Sequence, residues 1–167
     1  MALAASLAAC SAPGGRFEVT GASWRDGPPP ALELTLSARF TPELLAALDQ
    51  GIPLVLEVRV ELDDARTALR STRRYELSYS PLSARYRLRE LDSGAERSFG
   101  YRALLLAALD RLVVPLPPEA STLGADARAR VHVSLPGAGL PAPLRLPALW
   151  APEWRMAAAD HAFRARG

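Results

Sequence analysis

Lysine is absent from this chain. Its 20 basic residues are all arginine and interleave with 18 acidic ones, for a net charge of +2. No basic segment is clustered with aromatics between its charges, so nucleic-acid binding is a poor reading despite a pI near 9.1. A single cysteine, Cys10, excludes an internal disulfide, and the fold must rest on its core. The two histidines, His132 and His161, have no second ligand at metal spacing, and zinc needs three or four. Both read as solvated surface residues. No apolar run reaches the ~18 residues of a membrane-spanning helix; the longest lies around Ala103–Leu109. Gly137-Ala138-Gly139 precedes no helix start and reads as a turn, not a phosphate cradle. No G-x-S-x-G nucleophile elbow occurs. Asp63-Asp64 pairs two carboxylates without further oxygen ligands beside them, and reads as a solvated turn. These gaps predict no metal, no cofactor and no catalytic set. The sequence states no biochemical activity.

What the chain does have begins at its one cysteine. Leu7-Ala8-Ala9 before Cys10 is the residue order of a bacterial lipoprotein signal: a short apolar stretch, two small residues, then the cysteine that takes lipid. The basic start of a secretory signal is missing from Met1 to Ala9, so residues 1–15 read as a truncated leader plus tether. Lipid attachment at Cys10 and ordinary cleavage after the Ala-rich stretch both fit. Ser11-Ala12-Pro13-Gly14-Gly15 has the composition of a flexible linker. The leader predicts an exported protein, periplasmic or held at the outer membrane, with membrane anchoring only through lipid.

Residues 16–156 predict one β-rich domain, and 49% apolar residues suffice for its core. Phe17 and Val19 open a strand towards Trp24, and Asp26-Gly27-Pro28-Pro29-Pro30 turns it. Leu32, Leu34 and Leu36 alternate with polar residues as a strand with one wet face. A short helix follows, with Thr41 as cap, Pro42 at its first position, Glu43 at the positive dipole end and Gly51 as stop. Leu54, Leu56, Val58, Val60 and Leu62 then form the clearest period-2 pattern. Residues 63–73 read as a polar loop or frayed hairpin. Tyr75, Leu77 and Tyr79 make one strand, and Tyr86 and Leu88 the next. A second helix is expected from Gly100 to Leu112, with prolines leading out through Val113–Pro118. The last strong strand turns Ala127, Ala129, Val131, Val133 and Leu135 inward. Residues 157–167 read as a frayed helical tail. Wet-faced alternating strands imply antiparallel pairing. The expected fold is therefore mainly β: an antiparallel β-sandwich or strongly curled sheet of about six to seven strands, with two short helices closing its ends.

Three segments carry a family resemblance. Leu44…Ala47-Leu48-Asp49-Gln50-Gly51-Ile52-Pro53-Leu54 resembles a helix–Gly–strand signature. Residues 75–88 resemble a W-x-L-x-Y-x-x-L-x-x-x-Y-x-L pattern, with Tyr75 where tryptophan is usual. Leu140-Pro141-Ala142-Pro143-Leu144-Arg145-Leu146-Pro147, followed by Trp154, resembles an LP-x-PLRLP…W ending. In this order they resemble the proteobacterial exported family catalogued as domain of unknown function 4390, some members of which are labelled proline-rich signal-peptide proteins. The resemblance spans roughly residues 17–156. It implies export, one compact domain and a link to envelope sensing or signalling, and no activity.

Two groups of side chains are candidate partner-binding sites. Arg85, Arg87 and Arg89 alternate along one strand face, and Arg128 and Arg130 along another. Neighbouring strands would merge them into a guanidinium patch for carboxylates, anionic headgroups or a partner protein. The plainer reading is a wet face matched by Glu57 and Glu61 across the strands. Trp150 and Trp154 flank a proline-dense end that can anchor an interface, or else plug the open end of the sandwich. The expected protein is a non-enzymatic envelope module that binds an unidentified protein partner. The alternative is an envelope enzyme or small-ligand binder with a pocket between sheet and helix.

Overall fold

The computed structural model describes residues 14–124, 126–136 and 156–164. Cys10, Trp150, Trp154 and the proline-dense ending lie outside the described residues. The element order is β1 (Gly15–Arg25), β2 (Ala31–Arg39), α1 (Pro42–Asp49), β3 (Leu54–Asp63), β4 (Ala68–Ser80), β5 (Arg85–Glu90), β6 (Glu96–Phe99), α2 (Arg102–Leu109), β7 (Arg111–Pro115), a 3-10 helix (Pro118–Thr122), β8 (Arg128–Ser134), β9 (Met156–Ala157) and β10 (Ala159–Arg164). Two sheets form, ordered β7-β2-β1-β9 and β10-β8-β3-β4-β5-β6. Every strand pair is antiparallel except β1 with β9.

Alternation decides the layers. Leu54, Leu56, Val58, Val60 and Leu62 of β3 are all at most 2% exposed, while Glu57, Arg59, Glu61 and Asp63 point away from the core. Val131 and Val133 of β8, and Leu32, Leu34 and Leu36 of β2, are buried in the same core. Burying each such leucine or valine contributes about 1.5–3 kcal/mol relative to exposure. The mainly-β sandwich with two short helices is thus the observed fold. The small sheet covers one face of the six-stranded sheet, whose other face is wet.

Both helices lie at one end of the sandwich, not one at each end. α1 carries the chain from the small sheet to the large one, and α2 carries it back. The Thr41 hydroxyl caps α1 by accepting from the Leu44 N–H at 3.2 Å, and Pro42 occupies the first turn. Gly51 ends the helix at φ +84°, in the left-handed region that glycine enters without a Cβ clash. Leu44, Ala47 and Leu48 face the core from α1, as do Leu105, Ala108 and Leu109 from α2.

Ten strands lie among the described residues, against the six or seven expected. Residues 68–73, read as loop, are the first half of β4, paired residue for residue with β3 from Leu69↔Leu62 to Arg73↔Val58. Of their inward residues Leu69 is apolar but Ser71 and Arg73 are polar, so the period-2 signal breaks off there. The second helix stops at Leu109, not Leu112. Leu112 and Val114 are instead inward residues of β7, which pairs with the edge of β2. The Ala-rich end read as a helical tail forms β9 and β10 instead. Edge pairing of β10 with β8 overrides the helix preference of alanine.

Candidate functional site

At the far end of the six-stranded sheet from the helices, its wet face forms an open groove. The groove has a volume of about 660 Å³ and is lined by Glu61, Asp63, Arg70, Arg128, Arg130 and Ala162, with Leu62, Ala68, Leu69 and Ala129. Strand register builds it. Arg130, Glu61 and Arg70 stand in one row across β8, β3 and β4. The next row holds Arg164, Arg128 and Asp63 across β10, β8 and β3. Because side chains alternate, every second residue of each strand reaches this face.

The charges in these rows do not balance. The Glu61 carboxylate is shared: Arg70 Nη2 lies 2.7 Å from Oε1 and Arg130 Nη1 3.6 Å from Oε2. Arg128 forms no ion pair among the described residues, although Asp63 is its cross-strand partner on one side. Its partner on the other side is Arg164, a like charge directly opposite, which is unfavourable in an antiparallel ladder. Four guanidiniums therefore meet two carboxylates. Arg–carboxylate pairing is planar and can be bidentate, so an unmatched guanidinium beside a groove is suited to an incoming carboxylate or phosphate.

The two arginine groups do not lie on neighbouring strands. β5 and β8 are separated by β3 and β4, so Arg85, Arg87 and Arg89 stand apart from Arg128 and Arg130. Arg85 donates to Ser98, through Nε to Oγ at 2.8 Å and through Nη2 to the backbone oxygen at 3.2 Å. Arg87 pairs with Glu96 at 3.8 Å. Glu61 supplies the cross-strand match that the plainer reading assigned to it, whereas Glu57 pairs along its own strand with Arg59 at 3.0 Å. Arg70 joins the groove, and Arg164 the row beside it, from segments read as loop and tail. No apolar–polar alternation marks Arg70-Ser71-Thr72-Arg73-Arg74, and the strand emerges only beside its long partner β3.

Other polar residues are held in structural ties. Asp49, at the end of α1, accepts from the Tyr86 hydroxyl at 2.8 Å and pairs with Arg102 at the start of α2. Burial raises the Tyr86 pKa, and the Asp49 carboxylate raises it further. Asp64 accepts from the N–H groups of Arg66, Thr67 and Gly124, which fasten the β3–β4 turn to the segment after the 3-10 helix. These bonds hold its carboxyl below the usual carboxylate range. His132 Nδ1 lies 2.9 Å from Asp160, tying edge strand β10 to β8. His161 stacks near Phe163, with ring centroids 5.8 Å apart. Among the described residues no group of three or more His, Cys, Asp or Glu side chains could hold a metal ion.

A family model matches residues 30–163. The chain belongs to the family described as Domain of unknown function (DUF4390). No curated protein and no solved structure matches it. The matched span starts later than the motif resemblance and runs past it into β10. It includes every residue lining the groove and leaves out β1, although β1 lies inside the small sheet. No helix among the described residues is long and apolar enough to cross a membrane.

Proposed function

We propose that this DUF4390 domain is an exported, non-enzymatic binding module of the cell envelope, periplasmic or held at the outer membrane. Its groove docks an acidic segment of a protein partner. The observation that carries this reading is Glu61 shared between Arg70 and Arg130, with Arg128 unmatched beside them. Guanidiniums beside the exposed Ala68 and Ala162 suit a ligand that brings a carboxylate. The leader with Cys10 supports the location, and the link to envelope signalling follows from the family resemblance. Fluorescence anisotropy with a labelled oligoglutamate peptide tests the groove. The Arg128→Glu and Arg130→Glu variants should each bind at least ~10-fold more weakly, as loss of a charge-assisted contact implies. Arg16→Glu, on the small sheet at the opposite end of the sandwich, should bind as the parent does. Equal binding by all variants refutes the groove. Cell fractionation locates the protein, and labelled palmitate incorporation that survives Cys10→Ala refutes lipidation there.

A second reading, a small-ligand binder, draws on a cavity of about 200 Å³ lined by Tyr75, Leu88, Glu90, Arg97, Arg111 and Val113, among others. Oε1 of Glu90 is buried without a hydrogen-bond partner. The Tyr75 hydroxyl donates to the Val113 carbonyl at 3.3 Å, and burial raises its pKa strongly. An unmet buried acceptor in a cavity favours a ligand that carries a donor. Raised thermal stability with a small guanidinium or amine ligand, lost in Glu90→Gln, would support this reading over the groove.

A further inference from the structure

We propose that the helix-capped end of the sandwich is a docking surface for an anionic lipid bilayer. Three large apolar side chains project there. Leu82, in the turn between β4 and β5, is 103% exposed. Tyr101, the N-cap of α2, is 74% exposed, and Leu104 is 52% exposed. Tyr101 and Leu104 are three residues apart and share one side of the helix start. Strand register brings them to the turn: Tyr86 pairs with Phe99, so two residues further along each strand stand Ala84 and Tyr101. Exposed leucines scattered singly mean little, but these cluster at one end with an aromatic beside them.

Two arginines at this end stand without an acid partner. Arg16 and Arg39 face each other directly at the start of β1 and the end of β2, both exposed and neither in an ion pair among the described residues. Two like charges opposite each other in a ladder repel, and an anion between them relieves the cost. Arg85, beside the Leu82 turn, bonds to Ser98 and to no acid among the described residues. Arg102 is paired with Asp49, and the exposed acids nearby are Glu18, Glu43 and Asp110. Leucines, a tyrosine and free arginines on one surface match the layers of an anionic interface: acyl boundary, headgroup level and phosphate.

Chain geometry favours the same orientation. β1 starts at this end, and Cys10 lies five residues before Gly15. Five extended residues reach at most about 18 Å. A lipid at Cys10 would hold this end against the bilayer, and the surface itself does not require that lipid. β3 has ten residues, so the arginine groove at its other end stands roughly 30 Å away. A protein docked by its helices would present the groove to partners.

The test is co-sedimentation of the full chain carrying Cys10→Ser with vesicles of phosphatidylcholine alone or with phosphatidylglycerol added. Binding should require phosphatidylglycerol and weaken with salt. It should fall at least ~10-fold in Leu82→Ser/Leu104→Ser and in Arg16→Glu/Arg39→Glu, and stay unchanged in Arg128→Glu. These substitutions lie on exposed positions, and circular dichroism checks that the fold is kept. The proposal is overturned if the chain ignores phosphatidylglycerol vesicles, if either double variant binds as the parent does, or if Arg128→Glu loses as much. Sedimentation velocity that shows a dimer abolished by Leu82→Ser/Leu104→Ser would assign the surface to a second copy and also overturn it.

Discussion

Replacing Asp49 by alanine should destabilise the domain by about 1.5 kcal/mol, because one carboxylate joins three elements. It receives the Tyr86 hydroxyl of β5 at 2.8 Å and pairs with Arg102 of α2, while standing in the last turn of α1. A hydrogen bond to a charged acceptor contributes about 1.5–3 kcal/mol, and the partly exposed setting puts this one at the lower end. The Arg102 and Asp49 side chains are 39% and 37% exposed, so water screens the ion pair. Such a pair contributes only about 0.5 kcal/mol. Against both stands the negative charge at the C-terminal end of α1, which opposes the helix dipole by about 0.5 kcal/mol. For a domain of this size the net loss lowers Tm by about 3–6 °C. Urea and thermal unfolding of Asp49→Ala, Tyr86→Phe and the double variant measure it. The two losses should be less than additive by about 1 kcal/mol. Strict additivity, or a loss below about 0.5 kcal/mol for Asp49→Ala, refutes the idea that this carboxylate clasps the helices to the sheet.

Two further outcomes follow from local geometry. The Asp64 carboxyl has a lowered pKa because backbone N–H groups of Arg66, Gly124 and Thr67 bond its charged form. Its stabilisation is present above the unfolded aspartate value near 3.9 and is lost as pH falls through the lower folded value, so Asp64→Asn should flatten the acid limb of the stability curve below about pH 4. An NMR titration placing the Asp64 carboxyl at or above that ordinary value would contradict it. Gly51→Ala should cost about 1–2 kcal/mol by forcing a Cβ into the left-handed region at φ +84°, read from the urea midpoint. The added Cβ would lie 3.4 Å from the Tyr79 carbonyl oxygen, an ordinary contact, so strain rather than collision sets the loss.

Alternation and punctuation in the sequence determined much of the fold. Leu32, Leu34 and Leu36, and the five apolar residues of β3, face the core because a strand has period 2. Thr41, Pro42 and Gly51 bounded α1 because capping needs only neighbours in sequence. Glu61 was named as a counter-charge across the sheet, and it is one.

Only tertiary structure decided the rest. Residues 68–73 and 159–164 become strands because a long neighbour offers its N–H and C=O groups, not because their own side chains are patterned. Strand order parted Arg85 from Arg128 and joined Arg128, Arg130 and Arg70 around Glu61. Both helices came to one end, leaving the groove at the other. A sequence fixes which face of a strand a side chain takes, since that depends on parity alone. Which strands lie side by side depends on how two sheets bury their apolar faces together, and that is settled by contacts far apart in the chain.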